Sequence, residues 1–264
     1  MLTLRNQSCR IELSPHRGAI VTSLQVHNKE VLYLDRATFE DPTKNVRGGI
    51  PVLFPLCGPQ SEPATMSQHG FARTMPWEVV HQAENTVRLV LHDNQETRAV
   101  YPYAFFYELS YSALPHGLRI EQKVANRGRE TMPLQFGFHP YFLVGRKSDL
   151  EFNLPVSTYH DNKSDDSGTF RTFDFERDEI DWAFPNPTTQ SAAFRDPERG
   201  HEVIVRYSTD YSQLVFWTLK DKPFVCVEPW SSARFAYPDG DDVHRVEPGG
   251  LLETWVDILV GPAR

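Results

Sequence analysis

Cysteines are few in this sequence, long apolar runs are absent, and basic residues do not outnumber acidic ones. The 264 residues include three cysteines, Cys9, Cys57 and Cys226, which lie far apart and form no C-x-x-C pair. Such spacing argues against a disulfide framework or a zinc site and favours reduced thiols. No stretch approaches the roughly 18 to 20 apolar residues that span a bilayer, and the N-terminus has no apolar core of signal-peptide length. We therefore expect a cytoplasmic protein that uses no membrane partner.

The charge balance excludes a further class of function. Lys and Arg total 27 and Asp and Glu total 35, which gives a formal net charge of −8 at pH 7. Proteins that bind nucleic acid carry basic patches instead, so we expect no nucleic-acid partner. Neither a Gly/Ser linker nor a charge block nor an internal repeat divides the chain. We expect one domain over residues 1–264, large enough for a well-buried core.

Several familiar catalytic motifs are also missing. The sequence contains no G-x-S-x-G, no P-loop, no G-x-G-x-x-G and no H-E-x-x-H. These motifs are typical of serine hydrolases, of phosphate- and dinucleotide-binding folds and of zinc proteases. The sequence also lacks an H-x-H pair of the kind that begins many metal sites in β-barrels. We therefore expect neither a cofactor nor a bound metal.

The hydrophobic pattern that is present has a period of two. Apolar and polar residues nearly alternate in Thr86–Leu91 and Gly117–Val124, while His201–Tyr207 and Ser212–Trp217 are rich in β-branched and aromatic residues. Such runs predict half-buried strands. Twenty prolines are scattered through the chain, which disfavours long helices. The sequence therefore predicts an all-β sandwich.

Four segments depart from this alternation, because each places a polar or ionisable residue in an apolar, aromatic setting. They are RGGIPVLFP at 47–55, QHGFAR at 68–73, FGFHPYF at 136–142 and CVEPW at 226–230. In the third, His139 precedes a proline, which favours extended backbone and the end of a strand. Desolvation and a nearby carboxylate would suit His139 to general acid catalysis near neutral pH. A buried histidine that is hydrogen-bonded to a backbone carbonyl is the structural alternative.

The fourth segment contains a glutamate with similar surroundings. Glu–Pro occurs three times, but Glu62 and Glu247 have the neighbours of surface loops, whereas Glu228 follows an apolar run. Glutamate is rarely buried without a partner. Glu228 is therefore expected either to pair with an arginine or to carry out acid–base chemistry.

Arg47 and Arg73 lie in the first two segments. Buried arginines either pair with carboxylates, here Glu228 or Asp181, or hold an anionic or polyhydroxyl ligand through the planar guanidinium. His69 could hydrogen-bond a ligand oxygen or have no role. Asp181 could likewise bind a ligand or be a charge at a strand edge.

The four segments, in this order and at these wide spacings, resemble the aldose 1-epimerase (galactose mutarotase-like) family. They are most similar to its branch that includes the glucose-6-phosphate 1-epimerases. The similarity spans about residues 10 to 260. It implies a large twisted antiparallel β-sandwich, the galactose mutarotase-like supersandwich, whose concave face binds a pyranose. It also implies interconversion of the α and β anomers of a hexose or hexose 6-phosphate.

The resemblance implies a role for each candidate residue. His139 matches the general acid that protonates the ring oxygen, and Glu228 matches the general base that takes the proton from the anomeric hydroxyl. The remaining matches concern substrate binding: His69 and Asp181 for sugar oxygens, and Arg47 and Arg73 for the phosphate of the hexose-6-phosphate branch. That branch more often continues Glu–Pro with glycine, whereas this sequence has Trp230, so the requirement for a phosphate stays open.

Two other functions fit the same residues. One is a non-catalytic carbohydrate-binding or sugar-sensing sandwich, although such a protein has no need for both His139 and Glu228. The other is a glycoside hydrolase or lyase, which usually requires two carboxylates about 5 to 9.5 Å apart. Only Glu228 and Asp181 are candidates for that pair.

Overall fold

The computed structural model describes residues 1–263, and nearly all of its regular structure is β. In chain order the strands are β1 Leu2–Asn6, β2 Cys9–Ser14, β3 Ile20–Val26, β4 Lys29–Glu30, β5 Val52–Leu53, β6 Glu78–Gln82, β7 Thr86–His92, β8 Phe105–Leu114, β9 Gly117–Asn126, β10 Met132–Leu134, β11 Gly137–Phe138, β12 Tyr141–Leu143, β13 Glu151–Asn153, β14 Thr158–Asp161, β15 Ser167–Thr169, β16 Glu179–Pro185, β17 Ser191–Asp196, β18 His201–Tyr207, β19 Gln213–Leu219, β20 Phe224–Trp230, β21 His244–Val246 and β22 Leu251–Pro262. The helices are short, α1 Arg36–Glu40 and α2 Gln95–Val100, with 3₁₀ turns at Pro15–Arg17 and Lys147–Asp149.

Two eight-stranded sheets form the layers of the sandwich. The first, which we call the site sheet, has the order β15-β14-β16-β19-β20-β11-β5, with β12 also paired to β20. The second has the order β13-β17-β18-β22-β9-β8-β7-β6. A four-stranded sheet, β1-β2-β3-β4, and the pair β10-β21 complete the fold. The predicted all-β antiparallel sandwich is confirmed.

The main core lies between the two large sheets. Buried and half-buried residues alternate along the whole of β8, as expected for a strand with one face in a core. Aromatic rings pack across the layers: the ring centroids of Phe142 and Phe194 are 5.5 Å apart, as are those of Phe152 and Phe216. Large aromatic contacts of this kind supply much of the apolar area that stabilises a sandwich.

The opposite face of the site sheet carries the polar groups that concern function. In β16 the buried residues are Ile180, Trp182 and Phe184, so Asp181 points the other way. Cross-strand pairing continues from Asp181 to Trp217 and from Trp217 to Cys226, and paired side chains share a face. Glu228 lies two residues beyond Cys226 and therefore shares that face. Because residues on both of its faces are covered, β20 is buried along its entire length.

The local predictions can be compared with these strands. Thr86–Leu91 lies within β7 and His201–Tyr207 is β18. Residues 162–166 connect β14 to β15, which pairs back on β14. None of the helices in residues 1–263 has the length and apolar character needed to cross a bilayer.

Candidate active site

A cavity of about 510 Å³ opens on the polar face of the site sheet. Small-molecule sites in proteins commonly have about 300 to 1,000 Å³. The structure brings together in this cavity all of the candidate residues, which are Arg47, His69, Arg73, His139, Asp181 and Glu228. They come from distant parts of the chain and meet only because of the strand order.

His139 follows directly after β11, and its backbone N–H donates to the Pro51 carbonyl at 3.1 Å. Its predicted position at a strand end is confirmed. The ring stacks on Tyr141, with centroids 4.6 Å apart and planes 8° apart, and it meets the edge of Trp217 at 5.7 Å. No backbone carbonyl of another described residue accepts a hydrogen bond from the His139 ring. Its Nδ1 lies instead 3.4 Å from Oε1 of Glu228.

Glu228 is the central residue of the cavity floor and is only 1% exposed. Its Oε2 accepts a hydrogen bond from Trp230 Nε1 at 3.0 Å, because residues two apart on a strand point to the same face. Its Oε1 faces His139. No arginine forms an ion pair with Glu228 in the part of the chain that the structure describes, so the expected structural alternative for this residue does not hold.

Burial moves the pKa values of these two groups in opposite directions. It raises the pKa of the Glu228 carboxyl well above its usual range, and the negative charge of Asp181 acts in the same sense. It lowers the pKa of His139 well below its usual range, and the neighbouring His69 and Arg73 lower it further. Neutral histidine with protonated glutamate holds one exchangeable proton, and so does the ionised pair. At 3.4 Å the two groups are close enough for a proton to pass between them without a change in their summed charge.

His69 is held in a strained loop beside the pair. It has a φ of 69°, and its Nδ1 donates to the carbonyl of Cys57. Burial, together with the Arg73 charge, lowers the pKa of His69 to about 3. The ring is therefore neutral, and its Nε2 accepts a hydrogen bond from Gln68 Nε2 at 3.3 Å. A ligand hydroxyl that displaced the Gln68 side chain could donate a hydrogen bond to Nε2 of His69.

The two predicted arginines lie at different depths. Arg73 is half-buried, and its charge acts on His69, His139 and Glu228. Arg47 is exposed at the rim of the cavity. Neither arginine makes a salt bridge among residues 1–263. Both guanidinium groups are thus free to meet an anionic ligand.

Asp181 has a partner that sequence reasoning missed. Its Oδ2 accepts from Arg234 Nη1 at 2.9 Å, and its Oδ1 accepts from Asn162 Nδ2 at 2.8 Å. The alternative in which Arg47 or Arg73 pairs with Asp181 therefore does not hold. Arg234 follows closely after the CVEPW segment, but nothing in that segment indicates a partner 53 residues earlier.

Other residues of the cavity also escaped the sequence analysis. Tyr141 and Trp217 enclose the His139 ring, as described above. Lys163 Nζ lies 2.8 Å from Glu179 Oε2, and Trp217 Nε1 donates to Glu179 Oε1 at 2.9 Å. The Lys163–Glu179 ion pair forms part of the cavity wall. Among the described arginines that line the cavity, Arg47 and Arg73 are the two without an ion pair.

One group of three residues, two of which line the cavity, has metal-ligand atoms close together. Single ligand atoms of His139, Cys226 and Glu228 all lie within 4.8 Å of one another. Burial raises the pKa of the Cys226 thiol well above its usual range, as the Glu228 charge also does. A metal ion would have to displace protons from both the thiol and the carboxyl, which weakens binding at neutral pH.

Comparisons with known proteins agree with this architecture. The family described as aldose 1-epimerase matches residues 1–253. A protein of Cenchrus ciliaris, provisionally named glucose-6-phosphate 1-epimerase, is 25% identical over 247 residues, which cover 87% of this chain and 73% of that protein. The chromosomal protein LacX of Lactococcus lactis subsp. lactis is 26% identical over 233 residues, which cover 74% of this chain and 77% of that protein.

Solved structures match over nearly the whole length. The crystal structure of Slr1438 from Synechocystis sp. PCC 6803 has a TM-score of 0.96 at 37% identity, covering 99% of this chain and 96% of that one. A galactose mutarotase-like protein from Lactobacillus casei ATCC 334 has a TM-score of 0.81 at 21% identity, covering 99% and 100%, and shares the fold. Because the family match includes every segment that contributes to the cavity, the chain belongs to the aldose 1-epimerase family.

Proposed function

We propose that this protein is an aldose 1-epimerase that interconverts the α and β anomers of a hexose or hexose 6-phosphate. The observation that carries the proposal is the 3.4 Å approach of His139 Nδ1 to Glu228 Oε1, two buried residues that line one cavity. Anomer exchange requires two proton-transfer groups held close to the same substrate. The relative from Cenchrus ciliaris, named for this activity on glucose 6-phosphate, supports the same reaction class.

The reaction moves one proton at each end of the hemiacetal. Glu228, as the carboxylate, takes the proton of the anomeric hydroxyl while His139, as the imidazolium, protonates the ring oxygen. The bond between C1 and the ring oxygen breaks, and an open-chain aldehyde forms. The C1–C2 bond rotates, and the ring closes on the other face with the two roles exchanged. No atoms are lost, and His139 and Glu228 both return to their starting protonation states.

Three neighbours favour the carboxylate form of Glu228 from which this reaction starts. The hydrogen bond from Trp230 and the positive charges of Arg73 and Arg234 all lower the pKa of Glu228, against the effect of burial. A polar sugar adds further hydrogen bonds to both groups. Positioned acid and base groups contribute about 10²- to 10⁴-fold each to such reactions.

We assign Arg47 and Arg73 to a phosphate ester at C6. The ring oxygen is bonded to C1 and C5, and C5 carries C6, so a phosphate on C6 lies on the His139 side of the sugar. Arg73 acts on His139, and Arg47 lies close enough to Tyr141, the stacking partner of His139, to affect its titration. Two guanidinium groups without ion pairs in the lining of one cavity suit a dianion.

Anomer-exchange NMR on glucose, galactose and glucose 6-phosphate tests this function. We expect acceleration by the wild-type protein, and loss of any preference for the phosphate ester in Arg47→Ala and Arg73→Ala. Equal acceleration of free sugars would assign a general mutarotase in which the arginines bind hydroxyls. Acceleration of none of the three sugars would favour the non-catalytic sugar-binding sandwich instead.

The domain organisation and the localisation of the protein concern the whole chain. We propose that residues 1–264 act as one domain and that the protein is cytoplasmic, since all three cysteines are free, buried thiols. A glycoside hydrolase is not favoured, because both oxygens of Asp181 are occupied by Arg234 and Asn162. Glu179, the other carboxylate among the described residues that line the cavity, is likewise held by Lys163 and Trp217.

A further inference from the structure

Arg234 lines the cavity, yet the sequence analysis gave it no role. Its side chain and that of Asp181 are 21% and 17% exposed, so the ion pair between them is largely withdrawn from water. Asp181 is fixed from the other side by Asn162, whose backbone N–H also donates to the Asp181 carbonyl at 2.8 Å. Both carboxylate oxygens of Asp181 already accept hydrogen bonds from the protein. Arg234 therefore has more hydrogen-bonding groups available to a sugar than Asp181 has.

The loop that carries Arg234 is held on both sides of that residue. The Ala233 N–H donates to Asp242 Oδ2 at 2.7 Å, and the Phe235 N–H donates to the Pro59 carbonyl at 3.2 Å. Gly58 leaves room for the arginine stem, because a Cβ there would lie 2.8 Å from Arg234 Cγ. Such support fixes the guanidinium in one place, which is what a binding residue requires.

Most of the donors of Arg234 are available to a ligand. A guanidinium has five N–H groups in a planar fork. Within the described residues, only Nη1 donates to a protein acceptor, which is Asp181. The Arg234 charge also acts on Glu228 and His69, so the fork lies close to the reacting groups.

The strand order determines which part of the sugar meets Arg234. In the site sheet, β11 and the His139 that follows it lie on one side of β20, whereas β19 and then β16, which carries Asp181, lie on the other. At about 4.8 Å per strand, Asp181 is about two strand spacings from the strand of Glu228. A pyranose with its ring oxygen at His139 and its anomeric hydroxyl at Glu228 extends C2 and C3 toward β16.

We propose that Arg234 binds the hydroxyl groups at C2 and C3 of the substrate, and that Asp181 and Asn162 are positioning residues that act through it. The planar fork of Arg234 matches two adjacent oxygens. This inference rests on the proposed function and narrows its substrate class to aldoses with a free hydroxyl at C2. Arg47 and Arg73 then serve the opposite, C6 end of the same sugar.

The test compares glucose with 2-deoxyglucose, or their 6-phosphates if the phosphate proves necessary. We expect wild-type kcat/KM to be about 10- to 100-fold lower for the 2-deoxy sugar, the usual effect of losing a hydrogen bond to a charged group. Arg234→Met should lower kcat/KM for glucose by a similar factor and show no further loss with 2-deoxyglucose. Such non-additivity indicates that the arginine and the hydroxyl interact directly.

Two further variants guard against a purely structural explanation. Arg234→Lys keeps a positive charge beside Asp181 but loses the planar fork. It should therefore fold even if the Met variant does not. It should still lose most of the discrimination between glucose and 2-deoxyglucose. Arg177→Met is the matched control: it removes a 2.6 Å ion pair with Asp161 outside the cavity lining. We expect this control to discriminate between the two sugars as the wild type does.

The outcomes separate this inference from the proposed function. A wild-type protein that accelerates neither sugar overturns the function itself. If the wild type is active and Arg234→Met and Arg234→Lys still discriminate between the sugars by the wild-type factor, Arg234 does not bind the C2 hydroxyl. Loss of phosphate preference in those variants, with discrimination at C2 intact, would place Arg234 at the C6 end and also overturn the inference.

Discussion

At the scale of single residues, the site depends on how Glu228 is kept both buried and reactive. Burial favours its neutral form, while the Trp230 N–H and the charges of Arg73 and Arg234 favour the carboxylate. His139 experiences the reverse balance, because burial and positive neighbours favour the neutral ring. Groups with opposed environments and a shared proton are suited to exchange acid and base roles within one reaction.

Trp230→Phe should weaken the base without removing it. The substitution keeps an aromatic ring but deletes the N–H that donates to Glu228 Oε2 at 3.0 Å. The pKa of Glu228 should therefore rise further, and the acid limb of the kcat/KM profile should move to higher pH by about one unit. Trp217→Phe is the matched control, because its N–H binds Glu179 instead. An unmoved acid limb in Trp230→Phe would argue against Glu228 as the base.

Glu228→Gln should stabilise the fold at neutral pH while removing the base. The folded carboxyl has a raised pKa, whereas the unfolded one ionises near about 4.3. Between these two values the native state binds more protons than the unfolded state, so the stability of the wild type falls as pH rises, by at most about 1.4 kcal/mol per pH unit. A glutamine at position 228 does not ionise, so it adds no such pH dependence to the free energy of unfolding.

Denaturant unfolding at pH 5 and pH 8 measures this effect. The stability advantage of Glu228→Gln over the wild type should be larger at pH 8. An advantage that is the same at pH 5 and pH 8 would mean that the native carboxyl is ionised throughout.

At the scale of elements, the period-two pattern predicts strands but not their partners. His201–Tyr207 could be identified as a strand from its own residues, and it is β18. The hydrogen bond of Asp181 to Arg234 depends on the order in which β16, β19 and β20 pair. The strand order depends on contacts between residues that are far apart in sequence. No local pattern therefore indicates Arg234 as the partner of Asp181.

The loop that carries His69 requires glycine at the next position. Gly70 has a φ of 67°, and a Cβ there would lie 2.2 Å from the Phe54 carbonyl oxygen. Gly70→Ala should therefore destabilise the protein by more than about 1 kcal/mol and displace His69 from the cavity. Gly249→Ala is the control, because Gly249 has a φ of 75° but open space around its Cβ position.

Urea unfolding of both variants separates steric overlap from backbone strain. The Gly70 variant should lose clearly more stability than the Gly249 variant. Equal losses would mean that the loop relaxes and that His69 is not held by this contact.

At the scale of the whole molecule, two sheets enclose one apolar core and leave a polar cavity on the outer face of one of them. The alternating runs and many prolines were enough to predict the all-β class, and the four motifs were enough to predict the family. The motifs also indicated five residues and the family resemblance a sixth, Asp181, and the structure places all six around one cavity. Their roles stay predictions, because proximity alone does not establish proton transfer.

Tyr141 and Arg234 show where sequence reasoning stopped. Tyr141 stands inside FGFHPYF, yet its stacking on His139 depends on the turn between β11 and β12. Arg234 stands just outside CVEPW, and its importance follows from a partner on another strand. Motifs indicate which residues meet a substrate, whereas the residues that hold them in place depend on tertiary packing.

Anomer exchange by His139→Asn, Glu228→Gln and the double variant decides whether this pair carries out the chemistry. Each single substitution should lower the catalysed rate by about 10²- to 10⁴-fold while sugar binding and the fold are retained. The double variant should be little worse than either single variant, because groups that act as a unit are not additive. Near-wild-type turnover by a correctly folded single variant would show that the proton transfers take place elsewhere.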